Sequence, residues 1–118
     1  MQRQYRLAKR KDFNKVYRLG KSAANRQFVV YLLKNPQTAK MRVGVSASKK
    51  LGGAVVRNRL RRRIKEIIRL NADHIVPGYD LVIIARKPIV DMDYKEMEKS
   101  LLHALKQASL WNKNKPGV

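Results

Sequence analysis

Apolar residues at helical spacing predict a short helix near the start of the chain. Phe13, Val16 and Tyr17 fall at positions i, i+3 and i+4, which places them on one face of a helix over about residues 9 to 19. Gly20 follows this helix, and glycine readily adopts the left-handed conformation that ends many helices. We therefore expect Gly20 to end the helix in that conformation.

Two further stretches have the pattern of amphipathic helices. In the first, from Ala54 to Leu70, the apolar side chains lie within about 120° of arc on a helical wheel. These side chains are Val56, Leu60, Ile64, Ile67 and Ile68. The second follows Asp93, which has Glu96 three residues later as in a capping box. Its apolar positions are Tyr94, Met97, Leu101, Ala104, Leu105 and Ala108.

Three other stretches predict strands. Residues 27 to 33 are rich in β-branched and aromatic types, and residues 42 to 47 alternate, although this second strand could bend or split. Residues 81 to 85 form a continuous apolar run, which is typical of a buried central strand. The predicted fold class is α+β, with three helices and about four strands in one mixed sheet, in the order αβββαβα.

The length of 118 residues suits a single domain spanning residues 1–118. Residues 1–8 have the composition of a loose basic arm, and the polar residues 112–118 are expected to form a frayed tail. No apolar run approaches the roughly 20 residues that span a bilayer, and no signal-peptide pattern is present. The chain has no cysteine, which fits a reducing compartment, so we expect a cytoplasmic protein.

The charge is large and unevenly placed. The formal net charge is +20, and residues 1 to 70 hold 21 Lys and Arg against two acids, Asp12 and Glu66. Such a charge opposes folding by self-repulsion, which a polyanionic partner would relieve. Nucleic acid is the first candidate for this partner, ahead of an anionic membrane surface.

Seven of these 21 basic residues fall on the predicted helix 54–70, where Glu66 is the only acid. Like charges at i, i+4 spacing weaken an isolated helix by a few tenths of a kcal/mol per pair, and here such pairs recur. Arginine is suited to phosphate because its planar fork contacts two oxygens at once. The predicted RNA-binding residues on this helix and just before it are Lys49, Lys50, Arg57, Asn58, Arg59, Arg61, Arg62 and Lys65. Of these, Arg57 falls on the apolar side of the wheel and is expected to project past the edge of the core. The alternative interpretation is a helix face that is merely solvated.

Aromatic residues indicate a second surface. Phe13 and Tyr17 share a helix face, and Tyr31 points to the sheet face opposite that of Phe28 and Val30. These aromatics could simply be core. An open sheet face with aromatics and a basic rim is, however, a usual surface for single-stranded RNA. Candidates for the rim are Arg10, Lys15, Arg18 and Arg26.

The residues that catalysis would need are sparse. His74 and His103 lack metal-ligand spacing, and the acids between Asp91 and Glu98 are better explained by helix capping. A protein nuclease usually needs a carboxylate cluster for metal ions or a histidine pair. We therefore expect no catalytic residue and no metal site in this chain.

Three segments together resemble the protein family of bacterial ribonuclease P. They are Ala24 to Val29, Val43 to Gly52, and Ala54 to Arg62 with its Arg-Asn-Arg sequence. The similarity extends over about residues 7 to 110.

The resemblance implies a protein cofactor in an enzyme that removes the 5′ leader from precursor tRNA. It implies a catalytic RNA subunit with Mg²⁺ and no obligate protein partner or membrane. It assigns Lys49, Lys50 and the helix with Arg-Asn-Arg to RNA binding, and Phe13, Tyr17 and Tyr31 to a cleft for the leader. It also implies a left-handed crossover into the strand at residues 81–85, which the general preference for right-handed crossovers would not suggest.

Two alternatives are a ribosomal or RNA-chaperone protein and a DNA-binding module. The composition alone fits a ribosomal protein, although such a protein would need no open cleft for a single strand. The sequence has no helix-turn-helix or dimer signal that would favour DNA.

Overall fold

A computed structural model of the chain describes residues 6–38 and 40–112. Three α-helices and four strands follow one another in the predicted order αβββαβα. The helices are α1 (Arg10–Leu19), α2 (Ala54–Leu70) and α3 (Tyr94–Gln107). The strands are β1 (Lys21–Ala24), β2 (Phe28–Lys34), β3 (Arg42–Ser46) and β4 (Tyr79–Ala85).

The four strands form one mixed sheet in the order β1-β2-β4-β3. The β1–β2 and β2–β4 pairs are antiparallel, and the β3–β4 pair is parallel. The predicted central position of β4 is confirmed. Because β3 and β4 are parallel neighbours, the chain must cross over between them through α2. The hand of this crossover remains a prediction from the resemblance.

The fourth strand does not come from a split of residues 42–47, since β3 is one continuous strand. It is β1, with the sequence Lys-Ser-Ala-Ala, and its residues are mostly exposed. A short exposed strand at the edge of a sheet carries little apolar pattern, so the sequence analysis did not locate it.

The main core lies between one face of the sheet and the helices α2 and α3. Leu60, Ile64, Ile67 and Ile68 of the predicted stripe are fully buried there, and Val56 packs at its margin. The capping box at the start of α3 is confirmed by hydrogen bonds in both directions. The Glu96 backbone N–H donates to the Asp93 side chain at 2.8 Å, and the Asp93 N–H donates to the Glu96 side chain at 3.2 Å.

Helix α1 covers part of the opposite sheet face. A smaller buried cluster there contains Leu7, Val16 and Val82, with Phe13 and Tyr31 packed against it. Phe28 and Val30 belong instead to the main core, on the sheet face that α2 and α3 cover. This confirms the prediction that Tyr31 points to the opposite sheet face from Phe28 and Val30. The aromatic side chains of Phe13 and Tyr31 therefore lie on the side of the sheet that α1 covers.

Gly20 ends α1, but the expected left-handed conformation is wrong. Its φ is −83° and its ψ is 170°, which is extended backbone. A side chain at this position would lie about 2.6 Å from the backbone oxygen of Leu32. Glycine is needed here because the chain passes close to β2, not because of a positive φ.

The expectation of a loose arm is wrong for residues 6 and 7. Arg6 forms a parallel bridge with Val43, and the Leu7 N–H donates to the Val43 oxygen at 3.0 Å. Leu7 is buried, and its burial ties this segment to the free edge of β3. Residues 1–5 lie outside the described part of the chain.

Asn112 also differs from the predicted frayed tail. Its N–H donates to the His74 oxygen, and Trp111 stacks on the His74 ring with 4.9 Å between centroids. These contacts hold the end of the described chain against residues 74–76. Residues 113–118 lie outside the described part.

An ion pair with a buried carboxylate and a partly exposed arginine lies at the end of the sheet away from the β1–β2 turn. Asp80 is 5% exposed and accepts hydrogen bonds from Arg42 at 2.8 and 2.7 Å and from Asn35 at 3.2 Å. The hydrogen bonds to Asp80 raise the pKa of Arg42 above its usual value, against the opposing effect of burial. The pair joins β3, β4 and the turn after β2.

Candidate RNA-binding surfaces

One side of α2 carries a continuous group of polar and basic side chains, here called the basic face. It consists of Asn58, Arg59, Arg61, Arg62 and Lys65, with Lys49 and Lys50 just before the helix. Arg59 and Arg62 are exposed, and in the described chain neither forms an ion pair. Their N–H groups are therefore available to phosphate oxygens.

Arg61 is oriented by two contacts. Its guanidinium donates to the Asn58 side chain at 3.0 Å and to the backbone oxygen of Ala47 at 3.3 Å. Lys65 lies one turn further along, where partial burial and the nearby charges of Arg6 and Arg61 lower its pKa. A phosphate would relieve this repulsion among cations.

Arg57 is half-buried at the margin of the core, on the apolar side of the wheel as predicted. Its Nε atom is buried and has no hydrogen-bond partner among the described residues. Its side chain is therefore less available to a flat RNA surface than those of Arg59 and Arg62.

The start of α2 is also open. Gly52 has a φ of +139°, a conformation that favours glycine, and a side chain at Gly53 would meet nothing within 4 Å. Gly53 is the N-cap of α2, and among residues 6–38 and 40–112 no side chain is seen to cap the first backbone N–H groups. Lys49 and Lys50 lie beside them in an exposed helical turn. Such N–H groups attract anions.

Phe13, Tyr17 and Tyr31 come together between α1 and the sheet, and this group is here called the aromatic cleft. The ring centroids of Phe13 and Tyr17 are 6.4 Å apart, and those of Tyr17 and Tyr31 are 5.1 Å apart, edge to face. Tyr17 is 36% exposed, whereas the other two rings are more enclosed. Tyr17 is thus the aromatic most open to a nucleobase.

The surroundings of the Tyr17 hydroxyl raise its pKa above the ordinary value for tyrosine. Burial raises its pKa, a side-chain hydrogen bond to Ser46 lowers it, and the neighbouring Tyr31 raises it, with a net increase. A neutral ring in this position does not repel phosphates.

Two small residues of β3 shape the cleft, and the sequence analysis missed both. A side chain at Gly44 would clash with the Phe13 ring and lie 2.9 Å from the Leu7 oxygen. Ser46 lies near the Tyr17 hydroxyl and acts to lower its pKa. A usable signal was present in Val43-Gly44-Val45-Ser46, where the small residues alternate with valines that lie in or against the main core and so share the opposite sheet face.

The basic face and the aromatic cleft meet at the end of β3. The Ser46 side chain lies near the Tyr17 hydroxyl, and the backbone oxygen of the next residue, Ala47, accepts from Arg61 at 3.3 Å. One strand end therefore separates the two surfaces. The predicted rim residues Arg10, Lys15, Arg18 and Arg26 are all exposed.

Within residues 6–38 and 40–112, no three His, Cys, Asp or Glu side chains come together as a metal-binding group. In the same part of the chain, no helix has the length and apolar character needed to cross a membrane.

Residues 1–109 match the family model for ribonuclease P. The chain belongs to the ribonuclease P protein family. The ribonuclease P protein component of Geobacillus sp. (strain WCH70) is 50% identical over 108 residues, which cover 92% of this chain and 93% of the relative. That of Listeria welshimeri is 51% identical over 106 residues, covering 90% and 89%.

Solved structures of ribonuclease P proteins share this fold. The Staphylococcus aureus protein superposes with a TM-score of 0.86 at 44% identity, covering 92% of this chain and 98% of that one. The Thermotoga maritima protein gives a TM-score of 0.79 at 37% identity, covering 86% and 94%.

Membership of this family makes the chain the protein subunit of ribonuclease P, an endoribonuclease of tRNA 5′ processing, with the ribonuclease P RNA as its partner. This confirms the resemblance found in the sequence. It also decides against the ribosomal, RNA-chaperone and DNA-binding alternatives. The roles of the individual residues on the two surfaces remain predictions.

Proposed function

We propose that the basic face binds the ribonuclease P RNA and that the aromatic cleft binds the 5′ leader of precursor tRNA. The observation that carries this proposal is the meeting of the two surfaces at Ser46 and Ala47. Two RNAs bound to these surfaces would lie next to each other. The protein would then place the substrate strand beside the RNA that cleaves it.

The chemistry of each surface suits its proposed ligand. Unpaired guanidinium groups on α2 offset the phosphate repulsion that builds up when two RNAs approach. The exposed ring of Tyr17 offers a stacking surface that accepts any base, because every base has a π-face. Leaders of differing sequence could therefore bind in the same cleft.

The resemblance to the ribonuclease P family implies that catalysis uses Mg²⁺. The acids of the described chain do not fit a magnesium site. Asp80 is paired with Arg42 and Glu66 with Arg69, and in this part of the chain no three acidic or histidine side chains lie close enough together to hold a metal ion. Phosphate oxygens of RNA are suitable ligands for Mg²⁺. We assign the ion to the RNA subunit, with no catalytic side chain in the protein.

The proposed unit is the whole chain, residues 1–118, acting as one RNA-binding domain without an obligate protein partner. The proposed location is the cytoplasm.

Precursor-tRNA cleavage at low Mg²⁺ tests this function. Three reactions would contain the protein alone, a bacterial ribonuclease P RNA alone, or both together. We expect specific 5′ cleavage mainly in the combined reaction, because the protein's cations would replace part of the Mg²⁺ that RNA needs. No gain over the RNA alone would contradict the proposal, and cleavage by the protein alone would contradict the assignment of catalysis to the RNA.

The Tyr17→Ala variant tests the aromatic cleft. Stacking contributes roughly 1–3 kcal/mol per base, so we expect the holoenzyme to bind leader-bearing precursor tRNA about tenfold more weakly. Binding of mature tRNA, which has no leader, should be unchanged. The measurement is the dissociation constant for both substrates, with Tyr17→Phe as the matched control because it keeps the ring and loses only the hydroxyl. An equal loss for both substrates would mean that Tyr17 is only a packing residue.

A further inference from the structure

The turn between β1 and β2, residues 25–27, is organised by the side chain of Asn25. Its Oδ1 atom accepts hydrogen bonds from the backbone N–H groups of Gln27 at 3.0 Å and Phe28 at 2.8 Å. These bonds fix the side-chain amide, because its oxygen must point into the turn. The NH₂ group is thereby directed outward, and it donates to the backbone oxygen of Ser100 at 2.9 Å.

The NH₂ group of the Asn25 side chain attaches the turn to α3. Besides the bond to Ser100, the Asn25 NH₂ lies 3.2 Å from Nδ1 of His103, and the Ser100 hydroxyl donates to the Gln27 side chain at 2.9 Å. A turn of this kind needs only the Oδ1 contacts for its own backbone. The additional bonds therefore fix where the turn lies relative to the rest of the sheet.

The same turn holds Arg86, the residue after β4. The Arg86 backbone N–H donates to the Gln27 oxygen at 2.9 Å, and its guanidinium donates to the Asn25 oxygen at 3.1 Å. Strand alternation places Arg86 on the same sheet face as Ile84, which is the face of the aromatic cleft. Val29, the partner of Ile84 on β2, is only half-buried, so this end of the face is open.

Arg86 retains binding capacity. Its side chain is exposed, and in the described chain it forms no ion pair, so most of its five N–H donors are free. Arg26, in the turn itself, is exposed and likewise has no acidic partner there. A guanidinium that is already oriented loses less conformational freedom when it binds a phosphate.

We propose that Asn25 is a positioning residue for substrate binding, which holds Arg86 at the open end of the aromatic cleft to bind leader phosphates. This inference rests on the proposed function of the cleft. It adds a residue that does not touch RNA and acts through Arg86. Its chemical ligand is the backbone phosphate of a single RNA strand.

The test measures dissociation constants of the reconstituted holoenzyme for leader-bearing precursor tRNA and for mature tRNA. We expect Asn25→Ala to weaken binding of the precursor about fivefold to tenfold and to leave mature tRNA and the cleavage rate at saturating substrate unchanged. Arg86→Ala should give a similar loss. The double variant should lose little more than Arg86→Ala alone, because Asn25 acts through that arginine.

Asn35→Ala is the matched control. Asn35 also caps a turn, accepting from the Gln37 N–H at 3.0 Å, but it lies at the opposite end of the sheet, beside Asp80. We expect it to cost stability without changing the preference for precursor over mature tRNA. Should Asn25→Ala fail to fold, Asn25→Asp replaces it, since a carboxylate keeps the acceptor of the turn and loses the donors to α3.

Three outcomes are distinguishable. A wild-type holoenzyme without any preference for leader-bearing substrate would contradict the proposed function of the cleft and this inference with it. A wild-type preference that survives in the Asn25 variant would overturn this inference alone. Additive losses in the double variant would also overturn it, because they would show that Asn25 does not act through Arg86.

Discussion

Replacing Asp80 with alanine is expected to lower the free energy of unfolding by about 3 kcal/mol, the largest stability effect that we predict. The carboxylate is 5% exposed and receives hydrogen bonds from Arg42 and Asn35. Its removal leaves the Arg42 guanidinium, whose side chain is 29% exposed, without its counter-charge. Denaturant unfolding at fixed salt measures the loss.

Two further variants show whether the lost pairing is the cause. A double variant, Arg42→Met with Asp80→Leu, should recover much of the stability, because apolar side chains can replace a buried ion pair. Arg69→Ala removes the exposed pair between Arg69 and Glu66 and should leave the unfolding midpoint nearly unchanged. If Asp80→Ala costs no more than Arg69→Ala, the buried pair does not stabilise the sheet.

Removing both exposed arginines of the basic face is expected to have the largest effect on assembly. For the Arg59→Ala, Arg62→Ala double variant we expect binding to the ribonuclease P RNA to weaken at least tenfold at physiological salt. The slope of log K against log salt should become shallower by the contribution of about two phosphate contacts, each of which contributes roughly 0.7–0.9 to that slope. Affinity measured over a salt series gives both quantities.

The isolated double variant should be slightly more stable than the wild-type protein, although it binds RNA more weakly. Arg59 and Arg63 repel each other at i, i+4 spacing, so removing a charge should stabilise the isolated protein slightly. Arg69→Ala is again the control, because Arg69 is on the same helix but is engaged by Glu66 at 2.6 and 3.0 Å. A salt slope that stays at the wild-type value would contradict the assignment of this face to RNA.

The two surfaces differ in how far the sequence predicts them. Arg59 and Arg62 could be recognised because repulsive charges recur at helical spacing, which is a local pattern and costs helix stability. Helical spacing grouped Phe13 with Tyr17, but only residue type and strand alternation linked them to Tyr31. Their contact distances, and the roles of Gly44 and Ser46, depend on how α1 crosses the sheet.

The sequence alone determined the helices, the strands β2, β3 and β4, and the division of β2 between two sheet faces. These features follow from periodicity, which reports whether a residue faces water or core within one element. Membership of the ribonuclease P protein family was likewise recognisable from motifs such as Arg57-Asn58-Arg59 and is confirmed by the family match.

Only the tertiary structure decided the remaining features. Strand β1 exists through its pairing with β2, Arg6 and Leu7 are ordered by the edge of β3, and position 20 needs glycine because a side chain there would clash with the backbone of β2. The Asn25 contacts join residues that are 61 to 78 positions apart. Such contacts depend on partners distant along the chain, so no local pattern of apolar and polar residues can predict them.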